Sequence, residues 1–271
     1  MNFQWLFARP IAHRGLHNDE YPENSMPAYQ LAIDNGFNIE IDVHVTKDGH
    51  VVVFHDDNLK RVCGVNKLVK DCTLDELKTY PLANTEYTIP TFKEFLALVD
   101  GKTGILCEIK GINPFNHRIV RETIKVLDEV GYTGNIALQS FDFGAVLYAK
   151  RHCDYPVGEL CTWCSPDGKN PRWWATDFMG KMLICKVTKP DFIAYDARAC
   201  APTLSENKWL AKWGEKLPVL MWTVKSPETI ESAKKYANNV IFEDLDVELM
   251  NDLAGKFMPF KCPADKLPEN R

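Results

Sequence analysis

"IAHRGLHNDEYPENSMPAYQLAIDNGFNIEIDVHV", residues 11–45, is the stretch whose reading decides the fold. Ile11–His13 is a short, largely apolar run suited to a buried strand. Asn24 or Ser25 can then cap a helix whose first turn accepts Pro27. Ala28, Leu31 and Ala32 share one face of that helix, and Gly36 stops it. A second strand, about Asn38–Val43, follows at once. Strand, helix and strand in such quick succession imply parallel pairing.

The alternation continues outward from there. "VVVF" at 51–54 is a short additional strand, reached through the Asp48-Gly49 turn signal. An irregular stretch runs to Pro90 and holds the helix-like "TLDELKTY". Helices are expected at about 91–100 and 115–130, the latter with Val120, Ile124 and Leu127 on one face and Gly131 as its stop. Further strands are expected at 104–110 and near 135–140, 156–160, 192–196, 218–223 and 239–243, which makes eight principal strands with "VVVF" set aside. Eight such units in 271 residues predict a (β/α)8 TIM barrel. A doubly wound open sheet would carry a glycine-rich first turn, which "HRGLHNDEYPE" does not supply. Residues 1–255 are expected to form one domain, and 256–271, rich in proline and charge, a peripheral tail.

Composition narrows the function classes. A net charge of −5 argues against nucleic acid or an anionic membrane surface as the main partner. No apolar run approaches the ~20 residues of a membrane span. "MNFQWLFARP" lacks a basic leading region and is a poor secretory signal. Nine cysteines is an odd count in a long chain, and Cys107 and Cys185 lie among apolar neighbours, so reduced thiols and a cytoplasmic location are expected. Cys161 and Cys164 in "CTWC" have C-x-x-C spacing, but no second pair accompanies them to complete a zinc site.

The chemistry lies at the strand ends, where a barrel builds its site. In "NIEIDVHV", Ile39, Ile41 and Val43 take one face, while Glu40, Asp42 and His44 take the other. In "GILCEIK", Leu106, Glu108 and Lys110 share a face. Two strands therefore send Glu40, Asp42 and Glu108 towards one region. Each like-charge pair at ~5 Å costs roughly 3 kcal/mol at an effective dielectric near 20. A divalent cation would remove that repulsion, and oxygen-only ligation suits Mg2+, Ca2+ or Mn2+ better than Zn2+. Neutralisation by Lys110 or Arg14, with protonation of another carboxylate, is the alternative. His13-Arg14 ends the first strand, and His55 follows "VVVF" before Asp56-Asp57. Together they suggest an acid–base pair of histidines with an arginine to grip a phosphoryl oxygen. His44 shares the carboxylate face and is either a further metal contact or a rim residue.

The combination "AHRG…PENS…IEIDVHVTKDG…VVFHD", followed by "EIK", resembles the glycerophosphodiester phosphodiesterases, and the likeness runs from about Pro10 to Asp244. "LQSFD" at 138–142, "FIAYDARAC" at 192–200 and "VLMWTVKSPE" at 219–228 fit the same pattern. The resemblance implies a TIM barrel with a small insertion after the second strand, here about 44–88. It implies Glu40, Asp42 and Glu108 as ligands of one divalent cation, His13 and His55 as acid and base, and Arg14 and Lys110 as phosphate contacts. Trp222 and Phe141 stand where the family has aromatic pocket walls, although either could equally be a barrel-core aromatic. Glu23 and Asn24 match the family's "PEN" and read as supports for His13 and the helix start. Glu243, where threonine is common, and Lys225, where asparagine is common, depart from the pattern and bear on substrate preference more than on chemistry.

The expected activity is metal-dependent hydrolysis of a small-molecule glycerophosphodiester to an alcohol and glycerol 3-phosphate. Rival readings are a phospholipase D-like or lysophospholipid lyase barrel and a phosphodiester-binding barrel without turnover. Headgroup and oligomeric state are not encoded legibly.

Overall fold

The structure is a computed structural model that describes residues 3–111, 115–162, 180–200 and 208–259. Nine strands form one sheet: β1 (Ile11–Ala12), β2 (Asn38–Val45), β3 (Val51–Val53), β4 (Ile105–Ile109), β5 (Ile136–Ser140), β6 (Val157–Cys161), β7 (Phe192–Asp196), β8 (Val219–Val224) and β9 (Asn239–Phe242). Their order is β1-β9-β8-β7-β6-β5-β4-β2-β3, and β1 also pairs with β2. That last pairing closes a ring of eight parallel strands, leaving β3 antiparallel on the overhanging end of β2. The chain is a TIM barrel with helices between the strands, as the alternation of the sequence predicts.

Local chemistry explains the crossovers. Ser25 Oγ accepts the Ala28 N–H at the start of helix Met26–Asp34, with proline in its first turn. Thr91 and Glu94 form a reciprocal cap on helix Phe92–Val99. Helix Arg118–Val130 ends on Gly131 in the left-handed conformation. Alternation along each strand separates two apolar layers. Ile39, Ile41, Val43, Ile105 and Cys107 face outward and pack with Tyr29, Phe95 and Leu127 of the helices. Ile11, Leu106, Ala137, Leu160, Phe192 and Ile241 face inward and fill the barrel.

The "VVVF" segment folds back as a hairpin on β2, with Val43 opposite Val53 and Val45 opposite Val51. Its Asp48-Gly49 turn places glycine at φ +95°. Beyond it, Val52, Phe54, Leu59, Val62, Val69, Leu77, Leu82 and Ile89 form a separate apolar cluster beside the barrel. Among the described residues, no helix is long and apolar enough to cross a membrane.

The first residues have a role that sequence analysis missed. Helix Trp5–Ala8 closes the N-terminal face of the barrel, and Leu6, fully buried, joins the interior cluster. Asn38 and Asn239, the first residues of β2 and β9, pin it: Asn38 Nδ2 donates to the Trp5 and Arg9 carbonyls, and Asn239 Nδ2 to those of Leu6 and Arg9. A short helix with no polar cap and no periodic partner leaves little trace in a linear pattern. Leu6→Ala opens a cavity at the barrel floor and is expected to lower unfolding stability by about 2–5 kcal/mol. Urea unfolding followed by circular dichroism measures that loss, and turnover of the folded fraction should be unaffected, since the floor lies opposite the strands' C-terminal ends.

Candidate active site

Strand register brings the site together. Ala12 of β1 lies opposite Ile39 of β2 and Phe242 of β9. The next residue on each chain segment is therefore at one level: His13, Glu40 and Glu243. On the other side of β2, Asp42 lies opposite Glu108 of β4. Phe54, leaving the β3 hairpin, donates its N–H to the Asp42 carbonyl, which returns His55 to the same rim. Residues far apart in the chain thus converge at the C-terminal ends of the strands, where barrel sites form.

Glu40, Asp42 and Glu108 are all buried and present carboxylate oxygens within 4.8 Å of one another. Lys110 Nζ lies 2.8 Å from Asp42 Oδ1 and 2.6 Å from Glu108 Oε1, and Arg14 Nε lies 3.6 Å from Asp42 Oδ2. Burial and the neighbouring Asp42 and Glu108 carboxylates push Glu40 well above the usual carboxylate range. Burial raises Glu108 to about 7. Asp42 goes the other way: burial opposes its charge, but Lys110, His55 and Arg14 hold it below the ordinary range. Two cations on one side therefore keep Asp42 ionised and leave the other two under-compensated. A hard divalent cation fits this donor set, because three converging carboxylates offer only oxygen ligands.

"HRG" and "PENS" are coupled by backbone conformation as well as charge. Arg14 adopts φ +57° and Asn24 φ +54°, left-handed values that asparagine tolerates but that surrounding structure must sustain in an arginine. In that conformation the Arg14 N–H reaches Glu40 Oε2 at 3.2 Å, and Asn24 N–H donates to the Arg14 carbonyl. Asn24 Nδ2 donates to Asp42 Oδ2 at 3.1 Å, while the buried Tyr29 hydroxyl donates to Asn24 Oδ1. Glu23 accepts from Arg14 at 2.9 Å. Glu23 and Asn24 therefore support Arg14 and Asp42, whereas the sequence points to them as supports for His13 and the helix start. Gly15 at φ +82° follows, where a Cβ would crowd Ala28 and Tyr29 at 3.0 Å.

Both histidines of the expected pair are braced through Nδ1. His55 Nδ1 meets Asp56 Oδ1 at 2.6 Å, and Arg61 clamps Asp56 with bonds of 2.7 and 2.9 Å while also holding Glu23. These contacts hold Asp56 at about 2. His13 Nδ1 meets Glu243 Oε2 at 2.5 Å, and His13 Nε2 lies 4.0 Å from Glu40 Oε2. Burial lowers both imidazoles from their usual range, against the pull of the carboxylates beside them. His44 is buried and its Nε2 meets the His55 carbonyl at 3.2 Å, which makes it a prop for the His55 loop.

Phe141 and Trp222 meet edge to face, ring centroids 5.5 Å apart, packed on the interior cluster. The Trp222 indole N–H donates to the Ala194 carbonyl, which fixes the ring. Gln139, opposite Glu108 on β5, is buried with no hydrogen-bond partner for its amide oxygen. Its place in "LQSFD" gave no hint of that position. Cys161 is a buried free thiol, and Cys164 lies outside the described residues.

The sequence profile of the Glycerophosphoryl diester phosphodiesterase family matches residues 13–245. Bacillus subtilis YhdW is 38% identical over 143 residues, covering 50% of this chain and 58% of that protein. The glycerophosphodiester phosphodiesterase of Bacillus altitudinis is 33% identical over 145 residues, covering 50% of this chain and 59% of that protein. The match spans less than two thirds of the length of these curated relatives. The fold is that of an Oleispira antarctica phosphodiesterase solved with its product sn-glycerol-3-phosphate, at a TM-score of 0.73, 20% identity, and coverage of 90% of this chain and 96% of that one. The family profile runs from the His-Arg pair that follows β1 through β2 to β9 and the residues after it, and the chain belongs to the glycerophosphoryl diester phosphodiesterase family.

Proposed function

We propose that this protein is a divalent-cation-dependent phosphodiesterase that hydrolyses glycerophosphodiesters to an alcohol and glycerol 3-phosphate. The observation that carries the reading is the convergence of Glu40, Asp42 and Glu108 within 4.8 Å, flanked by the carboxylate-braced His13. Those three residues would hold the cation, Mg2+, Ca2+ or Mn2+. When bound, it supplies positive charge against the phosphoryl oxygens as the transition state forms. Arg14, held by Glu23, and Lys110, on the same rim, would take further phosphate oxygens. Phe141 and Trp222 would wall the apolar side of the mouth.

The neighbouring glycerol hydroxyl is the natural nucleophile, since an intramolecular attack has a high effective molarity. As its oxygen bonds to phosphorus, one of His13 and His55 takes its proton, the other protonates the departing alkoxide, and the phosphorus–alkoxide bond breaks. Water then opens the cyclic phosphate with the two roles exchanged. Carboxylates at both Nδ1 atoms orient the rings for this exchange. Residues 1–255 would act as one catalytic unit. The six free cysteines among the described residues fit a reducing, cytoplasmic setting.

Three measurements test this reading. Release of glycerol 3-phosphate from a panel of deacylated diesters and lysophospholipids, with EDTA and with metal added back, should show metal-dependent turnover; no release from any member overturns the assignment, and preference for the acylated members favours the lysophospholipid alternative. His13→Ala and His55→Ala should each lower turnover by about 10²–10⁴-fold. Near-normal activity in either removes that residue from the pair.

The third follows from Glu108. Its folded value near 7 exceeds its ordinary 4.5, so the folded state retains a proton that the unfolded chain releases. The Glu108 contribution to the stability of the cation-free protein should therefore fall as pH rises from the ordinary value towards the folded one, then level off. Scanning calorimetry of wild type and Glu108→Gln reads it as a difference: the Tm of wild type relative to the variant should be lower at about pH 8 than at about pH 5.5. Mg2+ or Ca2+ should raise the wild-type pH 8 value, and Glu108→Gln should weaken that cation response.

A further inference from the structure

Glu243 and Lys225, which follow the last two strands of the barrel, line up behind one imidazole. Glu243 follows β9 and His13 follows β1, and the His13 N–H donates to the Phe242 carbonyl across the closing strand pair. Glu243 Oε2 is 2.5 Å from His13 Nδ1. The other oxygen, Oε1, lies 2.5 Å from Lys225 Nζ and 3.7 Å from His17 Nε2. Lys225 follows β8, and the Glu243 N–H donates to the Val224 carbonyl beside it, so the register of β8 on β9 sets this contact. Lys225 Nζ also lies 3.5 Å from Asp244 Oδ2. Both carboxylate oxygens are thus held.

We propose that Glu243, anchored by Lys225, is a positioning residue that locks His13 in the Nδ1–H tautomer and aims its bare Nε2 at the carboxylate cluster. An ionised carboxylate has no proton to give, so the proton of the short contact sits on Nδ1. The neutral ring then has its lone pair on Nε2, the atom 4.0 Å from Glu40. A carboxylate on the far nitrogen of a working histidine fixes both tautomer and ring plane. His55 receives the same service from the next residue in the chain, Asp56, with Arg61 behind it. His13 has no such neighbour, since Arg14 follows it. Its brace comes from 230 residues away, carried by barrel closure.

The inference rests on His13 acting as proposed above, and its test separates the two. Glu243→Gln keeps the shape but lets an amide N–H face Nδ1, which favours the wrong tautomer. It should lower kcat about 10–100-fold with KM within about twofold. Glu243→Asp, which keeps the charge, should recover most of that loss. Proton NMR of the full chain should show a strongly downfield imidazole N–H that His13→Ala deletes and Glu243→Gln shifts upfield. An unchanged resonance in Glu243→Gln overturns the brace whatever the activity, and so does wild-type kcat in that variant. Equal losses in the Gln and Asp variants with a lowered Tm would reduce Glu243 to a structural role and likewise overturn it. If the resonance behaves as expected while the wild-type protein releases no glycerol 3-phosphate, the brace stands and the hydrolase reading fails.

Discussion

Three carboxylates buried side by side repel one another, and most of what surrounds them answers that repulsion. Asp42 and Glu108 leave adjoining strands at one level because β2 and β4 are parallel and in register, and Glu40 stands two residues earlier on the same face of β2. Lys110 and Arg14 answer part of the charge, chiefly on Asp42. The Arg14 backbone N–H and the Asn24 amide answer more. Arg14 and Asn24 both take left-handed backbone here. For Arg14, unlike an asparagine, that is local backbone strain at the mouth. Burial still raises Glu40 and Glu108, the latter despite its contact with Lys110, and a hard cation would relieve both.

The second layer of the site has a repeated logic. Each histidine is backed by a carboxylate and each carboxylate by a cation: His55, Asp56 and Arg61 on one side, His13, Glu243 and Lys225 on the other. Arg61 also reaches Glu23, which holds Arg14. The residues after β3 are thereby tied to the loop after β1 through charge, in addition to the edge-on contact of Tyr21 with Tyr87. His44 adds a prop beneath the His55 backbone. Imidazoles held in this way would change protonation without changing direction, which would suit the role exchange proposed for the pair.

How much of this was legible follows the range of the interactions. The eight strands could be read because alternation and helix caps are local, and "IEIDV" declares its two faces within five residues. Asp56 behind His55 was legible for the same reason. Glu243 behind His13 was not, and its departure from the family pattern looked like a matter of substrate preference at the rim. Helix Trp5–Ala8 escaped notice because the partners that hold it, the interior of the barrel and two asparagines that begin distant strands, lie far from it in the chain.

The sequence by itself determined the periodicities, the charged faces and the breaks between them, since these depend on side chains three or four positions apart at most. Tertiary structure decided which of those faces meet. Closure of β1 against both β2 and β9 selects Glu40 and Glu243 as the neighbours of His13. A carboxylate's charge is a property of its own residue, but its burial and the cation beside it depend on strands that only the closed barrel brings into register.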